Sequence, residues 1–273
     1  MTNTLLSLNQ ATTRGYSLPE TIAAASTVGI RHVGLWIEPV EEIGLAATKT
    51  LLADAGLSVS SVCRVGFVAD KQGAALGAAL EATRRAIDLS AELGRPMVTF
   101  IAGGLPAGDK DISAAALRVR DALETLVPYA TDAGVRLALE PIHPLFASDR
   151  SVVTTIDQAL ELISDLPADA VGVLIDTYAT WWDPQVIPAI GRAGEKIAGF
   201  QVSDFAVPLP AENMNGRLMM GEGCIDFRPL VMAAQTAGFT GAIEVEIFND
   251  SLWAQPLATI IERTVSTFAE HVA

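Results

Sequence analysis

The chain has 273 residues with 18 Lys and Arg against 32 Asp and Glu, a net charge of −14, and half of its residues are hydrophobic. A chain of this length buries a core without a staple, and its two cysteines make no disulfide framework, which suits a reducing cytoplasm. The acidity excludes nucleic acid as an expected partner, no apolar run of ~18 residues marks a membrane span, and residues 1–7 lack the basic start and apolar core of a signal peptide.

In chain order, short apolar β-branched runs alternate with Ala/Leu-rich segments of helical period. The runs are 4–9, 32–38, 58–67, 97–102, 136–143, 171–178, 197–204 and 242–248. A helix is expected over 18–28, with Ser17 as its cap, Pro19 in the first turn and Glu20 closing a capping box. Gly29, Gly56, Gly94, Gly134 and Gly238 each stand just before a run, where a helix ends in a left-handed turn. Eight repeated strand–helix units predict a single (β/α)8 TIM barrel spanning residues 1–273. The first turn has no Gly-x-Gly-x-x-Gly, so a dinucleotide fold is not expected.

In such a barrel the chemistry sits at the C-terminal ends of the strands. The fifth run ends in Glu140 and His143, the sixth in Asp176, the seventh in Gln201 and Asp204, and the eighth in Glu244 and Glu246. One acidic residue in an apolar strand is readily explained as a hydrogen-bond partner for a loop. Acidic or amide side chains on four consecutive strands need a common counter-charge. Glu140, Asp176, Gln201 and Glu246 supply four oxygen donors, a set that favours Mg²⁺ or Mn²⁺ over Zn²⁺. Glu244, two residues before Glu246, points the same way one layer deeper and is read as a supporting carboxylate.

The sequence Leu-Glu-Pro-Ile-His-Pro at 139–144 now takes on a wider meaning. Together with the segments 175–184, 201–204, 217–226 and 244–248 it resembles the xylose isomerase-like TIM-barrel superfamily. That superfamily holds sugar isomerases and epimerases, including tagatose epimerase-like, hydroxypyruvate isomerase-like and inosose dehydratase-like enzymes. The resemblance covers the whole chain and implies a manganese-type ion on Glu140, Asp176, the residue at 201 and Glu246, with Arg217 orienting substrate. Two positions depart from the family pattern. Ala179 stands where a histidine usually follows the aspartate, and Gln201 replaces the usual histidine of the seventh strand.

The expected function is divalent-metal-dependent isomerisation or epimerisation of a sugar or sugar derivative. Glu140 and Glu246 would exchange a proton beside the carbonyl through a metal-stabilised enediolate. His143, Arg217, Trp36, Arg64, Trp181 and Phe248 are the expected substrate contacts, with Phe67, Trp182, Arg150 and Glu38 as further rim candidates. The alternative for His143 is a bond to the loop after Pro144. Neither Cys63 nor Cys224 reads as a nucleophile. The rival readings are a metal-dependent lyase on a keto-sugar or keto-inositol and a barrel that binds sugar without turning it over. An endonuclease IV-type repair enzyme needs a histidine-rich zinc cluster that three histidines cannot build. The expected partner is a small carbohydrate, and a homo-oligomer would be unsurprising for the family.

Overall fold

The computed structural model describes residues 5–273. Eight parallel strands close on themselves, each hydrogen-bonded to its neighbours in turn. They are β1 (Leu6–Asn9), β2 (His32–Trp36), β3 (Ser58–Gly66), β4 (Met97–Ile101), β5 (Leu137–Glu140), β6 (Val171–Asp176), β7 (Ile197–Val202) and β10 (Ile243–Val245). β1 pairs with both β2 and β10, which closes the barrel. The structure is a TIM barrel, as its strand–helix repetition predicts.

Ser17 forms the full capping box with Glu20, and the helix runs over Leu18–Thr27. All five pre-strand glycines adopt positive φ. The expected strand edges need correction at their C-terminal ends. β2 stops at Trp36 because Ile37–Ile43 is already helical, and β6 stops at Asp176, whose side chain caps the helical turn Thr177–Thr180. The eighth run shrinks to three residues, so Glu246 lies just past its strand. Apolar character continues past each edge because loops fold over the barrel mouth and bury it. Thr4, the start of the first expected run, lies outside the described residues.

Two short strands were not anticipated. β8 (Asp204–Phe205) and β9 (Arg217–Leu218) pair antiparallel above β7, with Phe205 opposite Arg217. This hairpin brings Arg217 back over the barrel. The main apolar core lies between the strands and the helices. Met97, Ala138 and Leu174 form a separate small buried cluster. Ala138 and Leu174 lie two residues before Glu140 and Asp176 and share their side of the sheet. Apolar filling thus gives way to carboxylates along the same strand faces. No helix among the described residues is long and apolar enough to cross a membrane.

Candidate active site

A cavity of about 430 Å³ opens at the C-terminal mouth of the barrel. Glu140 and Glu246 line it, with Arg217, Tyr178 and the aromatic side chains of Trp36, Phe67, Phe248 and Trp253. Asp176 and Gln201 are buried and do not line it. The register explains how they come together: Asp176 lies opposite Gln201, and Gln201 lies opposite Glu244.

Arg217 bridges two of the carboxylates. Its Nη2 lies 2.8 Å from Asp176 Oδ2, and its Nη1 lies 3.7 Å from Glu246 Oε2. Nη1 also donates to Ser203 Oγ at 3.1 Å and to the Glu246 carbonyl at 3.3 Å. The guanidinium packs 4.6 Å from the Tyr178 ring and 5.3 Å from Phe248. Burial alone would weaken its charge, but Asp176, Glu246 and Glu140 reverse this and raise its pKa. Burial is also the main influence on the acids. It pushes Glu246 up to about 8, against Arg217 and with help from Asp176 and Glu244. Burial, then repulsion from Asp176 and Glu246, holds Glu140 well above the usual carboxylate range.

Glu244 supports this arrangement from within the barrel. It accepts from Asn9 Nδ2 at 2.6 Å, Ser60 Oγ at 2.5 Å, Ser61 Oγ at 2.8 Å and Gln201 Nε2 at 2.8 Å. Gly34 of β2 makes room for it, since a Cβ there would lie 2.5 Å from Glu244 Oε2. The expectation of a paired supporting carboxylate agrees with this geometry. The partners Asn9, Ser60 and Ser61 escaped sequence reading, although Gly34 in an apolar strand was a usable signal.

The other expected residues divide between cavity and scaffold. Arg64, Arg150, Trp36, Phe67 and Phe248 line the cavity, as do Ala179 and the buried thiol of Cys63. Burial and the nearby Glu246 and Glu244 push the Cys63 pKa well up, which keeps the thiol protonated. His143 does not line the cavity. It accepts at Nδ1 from the Leu145 backbone N–H at 3.3 Å and stacks on Phe205 at 5.4 Å, and burial lowers its pKa. Trp181 packs on Phe205, and Trp182 donates to the Ala179 carbonyl; neither borders the cavity. Asp204 is a loop anchor, and Glu38 lies in an adjoining cleft. Trp253 and Tyr178 were not anticipated because they reach the mouth from a short helix and a helical turn beyond the strand ends.

The fit of a divalent cation turns on the buried oxygens. Gln201 Oε1 is buried without a hydrogen-bond partner, and Asp176 Oδ2 is buried with only the Arg217 guanidinium beside it. Glu140 makes no ion pair or side-chain hydrogen bond among the described residues. Buried hard oxygen atoms with so few partners suit a Mg²⁺- or Mn²⁺-type ion. Among the described residues, no three His, Cys, Asp or Glu side chains, Glu140, Asp176 and Glu246 included, form a group that could hold a metal ion. Arg217 holds Asp176 Oδ2 and so competes for one of the donors.

The family model for the xylose isomerase-like TIM barrel matches residues 22–270. The chain belongs to that family. Among curated proteins, it is 26% identical over 156 residues to inosose isomerase of Bacillus subtilis, covering 56% of this chain and 54% of that protein. It is 25% identical over 248 residues to 3-dehydroshikimate dehydratase of Pseudomonas aeruginosa, covering 88% of this chain and 37% of that protein. A third match is the ketose 3-epimerase of Arthrobacter globiformis, 24% identical over 78% of this chain and 71% of the enzyme. The chain thus spans about half of the first of these relatives and just over a third of the second. A crystal structure of a Sinorhizobium meliloti 1021 protein superposes with a TM-score of 0.94 at 37% identity, covering 98% of both chains. IolI protein with a binding zinc atom superposes at 0.86 with 19% identity, over 98% of this chain and 97% of that one, a likeness of fold. This family member is therefore related to enzymes that isomerise, epimerise or dehydrate sugar derivatives.

Proposed function

We propose that this barrel is a divalent-metal-dependent isomerase or epimerase that moves a proton on the carbon beside a carbonyl of a sugar or sugar derivative. The observation that carries the reading is the pair Glu140 and Glu246. They project from different strand ends into one cavity, both with raised pKa values and with Arg217 beside them. Glutamates displaced toward neutrality suit paired acid–base work, in which one carboxylate removes a proton and the other carboxylic acid returns one. Return to the opposite face of the same carbon gives epimerisation, and return to the neighbouring carbon gives aldose–ketose isomerisation.

Glu140, Asp176, Gln201 and Glu246 would hold the cation, which supplies Lewis acidity to the carbonyl oxygen and its neighbouring hydroxyl. Arg217 orients the substrate and keeps a positive charge beside Glu246. Trp36, Phe67 and Phe248 offer apolar faces to the substrate. A dehydratase outcome begins with the same proton removal and ends by expelling a β-hydroxyl. The match to a dehydratase over 88% of this chain favours it as the second reading.

The test is hydrogen exchange. The Mn²⁺-loaded protein is incubated in D₂O with ketoses, keto-acids and keto-inositols, and carbon-bound deuterium is followed by NMR. Exchange without loss of water is the expected result, and exchange with dehydration selects the lyase. No exchange with any candidate, together with unchanged ligand binding in Glu246→Gln, overturns the catalytic reading.

A further inference from the structure

Four arginines, Arg14, Arg64, Arg150 and Arg217, border the cavity together with four carboxylates, Glu140, Glu212, Glu246 and Asp250. A balanced lining in a chain of net charge −14 means that cations are concentrated at this mouth. The charge of Arg217 is taken up by Asp176 and Glu246. Arg64 acts on Glu140 and Glu246 only at a distance. Among the described residues Arg64 makes no ion pair and no side-chain hydrogen bond, and its Nη1 is buried without a partner.

The Arg64 guanidinium is nevertheless held in place. It stacks 4.5 Å from the Trp36 ring and 5.8 Å from Phe67. Trp36 is itself fixed, donating its Nε1–H to Asn9 Oδ1 at 2.9 Å and meeting Phe248 edge-on at 5.7 Å. A buried N–H with no acceptor is unfavourable in the free protein. A planar fork locked against aromatic faces is well suited to a carboxylate, which it meets with two parallel bonds. If Arg64 served only to offset Glu140 and Glu246 at a distance, neither the stacking nor an N–H without a protein acceptor would be required. Arg150, whose nearest carboxylate is its own neighbour Asp149 at 3.7 Å, adds a second cation to the same cavity.

We propose that Arg64 binds a carboxylate of the substrate, so that the substrate class is a keto-sugar acid rather than a neutral ketose. The inference rests on the proton-transfer reading, with the carbonyl end at Glu140 and Glu246 and the acid end at Arg64.

A matched pair of probes tests it. D-fructuronate and D-fructose differ only in a carboxylate at C6, and fructose 6-phosphate serves as a third arm. Calorimetric titration of the Mn²⁺-loaded protein is expected to show the uronate binding about ten-fold tighter than fructose. Arg64→Gln should bring that ratio to about one, and Arg64→Lys, which keeps the charge without the fork, should restore part of it. Equal binding of uronate and fructose, no uronate binding, or tighter binding of the phosphate overturns the proposal. So does an unchanged ratio in Arg64→Gln, the result expected if Arg64 only balances the glutamates. Deuterium exchange separates this outcome from the functional reading. Exchange on ketoses without uronate preference removes the carboxylate site alone, and Arg64-dependent uronate binding without exchange removes the catalytic reading alone.

Discussion

Gln201 donates its amide N–H to Glu244 Oε1 at 2.8 Å, and this contact decides which end of the amide is left free. Glu244 already accepts from Asn9, Ser60 and Ser61, so the amide nitrogen turns toward it and Oε1 stays buried and unpartnered. Glu244 therefore aims the oxygen of Gln201, much as a carboxylate behind a metal-bound histidine aims its ring.

Gln201→His tests that relationship. The imidazole keeps the Glu244 contact through one ring N–H and presents its other nitrogen in place of the amide oxygen. Competitive metal titration should show the Zn²⁺ to Mn²⁺ affinity ratio rising by about ten-fold or more. An unchanged ratio would mean that residue 201 does not touch the ion.

Arg217 is the natural rival of a cation for Asp176, since its Nη2 lies 2.8 Å from Oδ2. Arg217→Met should tighten Mn²⁺ binding by about ten-fold, because the site loses a positive charge. The metal-free protein should lose stability, by roughly 3–5 kcal/mol, as buried carboxylates lose their partner. Exchange activity should fall at the same time. Weaker Mn²⁺ binding in this variant would count against competition for Asp176.

Glu246 predicts an unusual pH dependence in protein stripped of metal. Its folded pKa is raised to about 8, with burial as the main cause. Between the unfolded carboxylate range and that value, the folded state keeps a proton that the unfolded state has released. Stability conferred by this group is therefore present at low pH and lost as pH rises toward 8. The melting temperature of chelator-treated protein should fall by a few °C between pH 5 and 8. Glu246→Gln should reduce that slope without abolishing it, because burial raises Glu140 and Asp176 in the same direction, and saturating Mn²⁺ should reverse it by binding the deprotonated form. Identical slopes in wild type and Glu246→Gln would refute the assignment.

The barrel was legible in the sequence because its signals are local: apolar runs, helical periods and a glycine before a strand. Glu140, Asp176, Gln201 and Glu246 stood out as candidates for a related reason, since each interrupts or ends an apolar run of the sequence. Contacts that depend on chain return were not. Arg217 reaches Asp176 only because β8 and β9 fold back over the mouth, and a two-residue strand has no period to detect. Strand ends were overextended where burial by loops mimics burial in a sheet, as at Ile37 and Thr177. His143 could not be resolved from sequence because both readings require the same rim position. Its ring direction follows from Phe205, sixty-two residues later in the chain.

Asp204 is the last such case, an acid at a strand end whose work is structural. Its Oδ2 accepts from the backbone N–H groups of Gly221 and Gly223 at 2.9 and 2.8 Å, and its Oδ1 from Ile225 and Phe205, each at 2.9 Å. It thereby fixes the loop that follows Arg217. Asp204→Asn turns an NH₂ group toward N–H donors and should cost about 2–3 kcal/mol, a fall on the order of 5–10 °C in melting temperature. Gly223→Ala should act similarly, because a Cβ there would lie 2.5 Å from Asp204 Oδ1. Both variants should speed amide exchange over residues 217–226, and both should weaken substrate binding by loosening Arg217 on β9. Unchanged exchange in that segment would show that the loop is held by something other than Asp204.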